Sequence, residues 1–206
     1  MAISRASDSS IQDGLPKYND IWDGTTATSA FDSLGSVLLG TATSTITFSN
    51  IPGTYTHLQI RCLTRGTTGS TCPVYLRVNS DSGTNYSTHQ ILGNGSTAYA
   101  DGHANASYIL DGWGGFQSFS GDDLANTFGI GIIDIFDYAN TSKFKTARAL
   151  WGRDNNASSG VTGRVVFESG AWRNTNAITT LTFTTDATTY GINWAAGTQI
   201  DLYGVK

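Results

Sequence analysis

The sequence predicts an all-β protein, an antiparallel β-sandwich or jelly roll preceded by an extended N-terminal arm. Three observations carry this expectation. Glu168 is the only glutamate in 206 residues, and the lysines are Lys17, Lys143, Lys145 and Lys206 alone. Helix surfaces are normally filled with straight side chains such as Glu, Lys, Gln and Leu, which lose little freedom there. Here Thr, Ser, Gly, Asn and Asp take those places, and they favour strands and turns. Second, apolar residues recur with period two through most of the chain. Third, turn clusters separate those runs, with no helical stretch between them.

The elements follow in order. Residues 1–33 are read as an anchoring arm and 34–206 as the β-domain. The opening holds Asp8, Asp13, Gly14, Pro16, Asp20, Asp23 and Gly24, which leave no room for a helix. Ile11, Leu15, Tyr18, Ile21 and Trp22 are spaced apolar anchors within it, too apolar to be left in water without a reason. Two readings stand: the arm lies in a groove of a partner, or it wraps its own domain. From Ser36 the pattern alternates. Thr45–Ser49 is the first clean strand. In the next, Thr56, Leu58, Ile60 and Cys62 share one face, and His57, Gln59, Arg61 and Leu63 the other. Val74, Leu76 and Val78 face one way. Residues 85–93 form a weaker strand, and 94–125 read as long loops with short strands between. Strand signals resume at 127–137, 144–153, 163–172, 178–185 and 199–205.

One strand breaks the pattern. In Ile130–Phe136 both faces are apolar, whereas a sandwich strand with one wet face should alternate. A covering loop from 94–125 and a second subunit are the two explanations. Ile133 and Ile135 are the candidate oligomer interface.

Charged residues are only 14% of the chain, against roughly 25% in an ordinary soluble domain. The net charge of −4 and the lack of any Lys/Arg cluster argue against nucleic acid. No apolar run reaches the length of a leader or a membrane helix, so no membrane is expected and synthesis in a cytoplasm is. Cys62 and Cys72 flank the turn Arg65–Ser70. They are read as two small buried hydrophobes rather than a disulfide, because no secretory leader is visible.

Chemistry-bearing motifs are sparse. A single glutamate removes paired-Glu hydrolases. His57, His89 and His103 have no metal-ligand spacing to one another. Asp134 and Asp137 are three apart on a strand and point to opposite faces. No G-x-S-x-G and no phosphate-binding loop occur. Asp111 and Asp122–Asp123 are the best calcium candidates, but adjacent loop aspartates are more often simply solvated. Neither an enzyme, a metal nor a cofactor is expected. Trp113 and Trp172 sit among loop residues and are the candidates for stacking on sugar rings, although tryptophans more often fill a core or an interface.

Ser49–Arg61, Asn176–Phe183 and Ala195–Val205 give a turn and three strands. Together with the opening Gly14–Asp23, they resemble structural proteins of tailed bacteriophages, especially those of marine and cyanobacterial hosts. The resemblance spans most of the chain and carries no catalytic residues. It implies a virion component without fixing its place in the particle. The expectation adopted is a capsid decoration or cement protein docked by its arm on the major capsid protein or another virion protein, and assembled as a homotrimer in the host cytoplasm. The alternative is a tail-fibre or receptor-binding module that contacts host surface glycans.

Overall fold

The computed structural model describes residues 30–69, 72–110, 117–118, 124–154 and 163–206. The chain divides into two units, Met1–Asp32 and Ser33–Lys206. Arm residues Ile11, Leu15, Tyr18, Ile21 and Trp22 lie outside the described residues, as do Trp113, Asp111, Asp122 and Asp123.

The described residues form an all-β sandwich of thirteen strands and one four-residue helix, α1 (Ala187–Tyr190). The strands are β1 (Phe31–Leu38), β2 (Thr45–Phe48), β3 (His57–Thr64), β4 (Cys72–Pro73), β5 (Tyr75–Val78), β6 (Tyr86–Gly93) and β7 (Ala98–Ala106). They continue as β8 (Gln117–Ser118), β9 (Gly129–Phe136), β10 (Lys145–Arg153), β11 (Arg164–Trp172), β12 (Leu181–Thr184) and β13 (Gln199–Val205). Eight of them make one sheet in the order β1-β13-β3-β9-β10-β11-β6-β7. A smaller sheet runs β2-β12-β5, and β4 pairs with β8. Every pairing with a defined register is antiparallel.

Alternation decides what each sheet buries. In the small sheet, Phe48, Leu181 and Val78 are in register, as are Ile46, Phe183 and Leu76. All six are buried, and Phe48 meets Phe183 edge to face at 6.4 Å. In the large sheet the buried rows include Ile60, Ile133 and Ala149 in one register and Leu58, Ile135 and Ala147 in the next. Alanines on the central strand leave room for larger neighbours. Gly131 lies opposite Trp151, so the bulkiest side chain of that row faces the smallest residue.

Two strands depart from the sequence reading. β1 begins at Phe31, inside the stretch assigned to the arm. β7 occupies part of the expected long loop. Its sequence, AYADGHANA, has no apolar alternation because it is an edge strand exposed along most of its length.

Between β5 and β6 a tight turn is tied to the end of β11. Asn79 and Ser80 both have positive φ. The Asp81 carboxylate accepts hydrogen bonds from Gly83 N at 2.9 Å, Asn85 Nδ2 at 3.0 Å and Trp172 Nε1 at 2.7 Å. The Trp172 bond in particular holds the Asp81 carboxyl below its ordinary range. A depressed carboxylate pKa stabilises the fold above the unfolded value and loses that contribution as pH falls through the folded one. Asp81→Asn is therefore expected to cost stability at neutral pH, and the gap to the natural protein should close as pH is lowered from about 6 to about 2. Urea unfolding followed by tryptophan fluorescence across that range measures it; a gap that stays constant with pH would contradict the assignment.

Candidate interaction face

The outward face of the large sheet is the feature with functional content. Opposite each buried row lies an outer row, fixed by the same register. One row runs Arg61, Ile132, Leu150, Phe167, Ile91 and Ala100 across β3, β9, β10, β11, β6 and β7. The row beside it runs Leu63, Ile130, Gly152, Val165 and Gly93. The seven large apolar side chains of the two rows together, Leu63, Ile130, Ile132, Leu150, Val165, Phe167 and Ile91, are each 40% or more exposed. From β3 to β6 the patch is about 20 Å wide at ordinary strand spacing. Isolated exposed apolar residues need no explanation, but a contiguous group of this size is a candidate contact surface. A shallow hollow of about 330 Å³ opens at its β6 end beside His89, Ile91, Ala100 and Phe167.

The third row is polar and tied together. Gln59 Nε2 donates to Asp134 Oδ1 at 3.0 Å, and Arg148 Nε donates to Asp134 Oδ2 at 3.1 Å. Arg61 Nε donates to Gln59 Oε1 at 3.2 Å, and its guanidinium lies 5.2 Å from the Tyr203 ring centre. The Arg148 guanidinium covers Phe136 at 5.1 Å. Ser169 and His89 continue this row toward β6. The result is a rigid polar rim beside an apolar centre, the usual anatomy of a protein–protein surface.

Two sequence expectations are corrected here. Ile133 and Ile135, taken as the interface, are fully buried between the sheets. The other face of the same strand, Ile130, Ile132 and Phe136, is the exposed one, and among the described residues no loop covers it. Trp172 is no platform for a sugar. It is the last residue of β11, buried, stacked on Tyr86 at 6.4 Å and bonded through its indole N–H to Asp81. Leu150, Val165, Phe167 and Ile91 had a legible signal, a second apolar set out of phase with the core positions of β10, β11 and β6.

Other chemistry is thin among the described residues. No group of three His, Cys, Asp or Glu is placed to hold a metal. His57 Nδ1 accepts the backbone N–H of Asp137 at 3.1 Å, and Asp137 pairs with Lys143 beyond the end of β9. Asp137 follows the last residue of β9 and has positive φ, so the opposite-face rule for a strand does not apply to it; Asp134 lies on the outer face. Cys62 and Cys72 are free and buried, and burial raises the thiol pKa of both, that of Cys72 to about 12. The Tyr108 ring is packed by Tyr75 at 4.5 Å and by the Arg77 guanidinium at 4.6 Å. No helix among the described residues is long and apolar enough to cross a membrane. The chain matches no protein-family model, no curated protein and no solved structure.

Proposed function

We propose that this chain is a non-enzymatic structural protein of a tailed-bacteriophage particle, a decoration or cement protein of the capsid. The observation that carries the reading is the apolar outer face of the eight-stranded sheet, in a chain where only 14% of residues are charged. A surface of that kind is built to be covered by protein. The resemblance to phage structural proteins supplies the setting. The arm, residues 1–33, supplies a second contact through Ile11, Leu15, Tyr18, Ile21 and Trp22, docked on the major capsid protein or another virion protein. Two linked contacts exceed either alone without further chemistry. The mechanism is mass action: a protein that binds only the assembled lattice raises the cost of taking it apart. The alternative of a glycan-binding appendage loses one of its two candidate platforms, because Trp172 is buried.

Deleting residues 2–30 tests the reading. The truncated chain is expected to bind particles more than about tenfold more weakly than the full chain, by loss of the arm's contact with the lattice. Equal binding by the two, measured by co-sedimentation with particles, would sink it.

A further inference from the structure

We infer that the outer face of the large sheet is an isologous dimer interface, covered by the same face of a second copy of this chain. The inference rests on the assembly reading above and names the partner at that surface. Its first support is area. Seven large apolar residues, each 40% or more exposed, together show on the order of 700 Å², near the roughly 800 Å² that each partner contributes to a standard stable interface. A typical monomer shows roughly 300–600 Å² in its largest apolar patch.

Its second support is the pattern of rows. Sheets pack face to face about 10 Å apart with strands nearly aligned. A two-fold axis along the strands, passing between β10 and β11, lays each row on its own counterpart. Ile132 then faces Ile91 of the second copy, and Leu150 faces its Phe167. In the polar row Asp134 comes opposite the second copy's His89, a favourable pairing. An axis across the strands centred on the Ile132 row would instead lay the Leu63–Val165 row on Asp134 and Arg148 and bury that charge under apolar groups, which is costly. The symmetry also favours two copies over the three expected from the sequence. A ring of three needs two different surfaces on each copy, whereas here a single contiguous patch can meet itself.

Sedimentation equilibrium of the full chain tests the dimer. The expected mass is twice the 21.9 kDa of one chain. Ile132→Lys and Phe167→Lys, at exposed sites, are expected to give single chains whose circular dichroism is unchanged. A mixture of Ile132→Cys and Ile91→Cys chains is expected to cross-link. Neither variant should do so alone, because the axis keeps each position away from its own copy. A natural chain that remains single at high micromolar concentration, or lysine variants that remain paired, would overturn the proposal. So would Ile132→Cys linking to itself as fast as to Ile91→Cys. A single chain whose Phe167→Cys thiol becomes reactive only after residues 2–30 are removed would assign the face to the arm and overturn the dimer. A single chain that still binds particles removes the dimer and keeps the proposed function; a paired chain that binds none does the reverse.

Discussion

Gly170→Ala is expected to destabilise the β-domain by about 3 kcal/mol or more, at or beyond the top of the usual overpacking range. A methyl group on Gly170 would stand 1.7 Å from the carbonyl oxygen of Ile109 and 2.8 Å from its carbon. Those atoms belong to backbone, so no side chain can rotate away to make room. The segment they belong to is pinned on its far side: Ile109 N donates to Leu76 O at 2.9 Å, and Leu76 N donates to Leu110 O at 3.4 Å. Gly170 is thus the seat on which the chain crosses from the large sheet to β5. Inserting one carbon must lift that crossing or bend β11. Urea midpoints measure the cost, with exposed Ser169→Ala expected to stay within about 0.5 kcal/mol. A Gly170→Ala midpoint equal to the natural one would show that residues 108–110 do not rest there.

Lys145→Met is expected to cost about 3 kcal/mol or more, from the joint loss of three hydrogen bonds made by one buried charged donor. The Lys145 side chain is fully buried at the start of β10. Its ammonium donates to the carbonyls of Asn140 at 2.6 Å, Lys143 at 2.8 Å and Thr175 at 3.0 Å. It therefore fastens the β9–β10 turn to the segment after β11. Methionine fills similar volume but leaves three carbonyls without their donor, and hydrogen bonds to a charged group are worth about 1.5–3 kcal/mol each. Lys143 provides the contrast two residues away. It pairs with Asp137 at 2.6 Å but is mostly exposed, so Lys143→Met should cost under about 1 kcal/mol. Thermal unfolding of the two variants side by side separates the roles. Similar losses in both would mean that the buried lysine acts as an ordinary surface charge.

The strands that alternate strongly were legible in the sequence. Leu58–Ile60–Cys62 are buried and Arg61–Leu63 exposed, as period two requires. β10, β11 and β13 follow the same rule. β7 was not legible, because an edge strand in contact with water on both sides has no reason to alternate. The direction in which β9 faces was also hidden. Isoleucines fill both of its faces, and only its cross-strand partners reveal which is wet: Ile132 shares its side with Arg61, and Asp134 shares its side with Arg148. Trp172 misled because Ser169, Gly170, Arg173 and Asn174 around it have loop-like composition. The acceptor that explains its burial, Asp81, lies in a turn far away in sequence, and period-two reading carries no information about such pairs.

The two sealed thiols give this fold a chemical clock. A cysteine reacts with alkylating reagents as its thiolate. Held in the interior with the proton strongly retained, Cys62 and Cys72 are inert while the sandwich is closed. Labelling at neutral pH can then proceed only through opening events that bring them to water. Its rate reports how often the natural protein comes apart, without any probe having to be introduced.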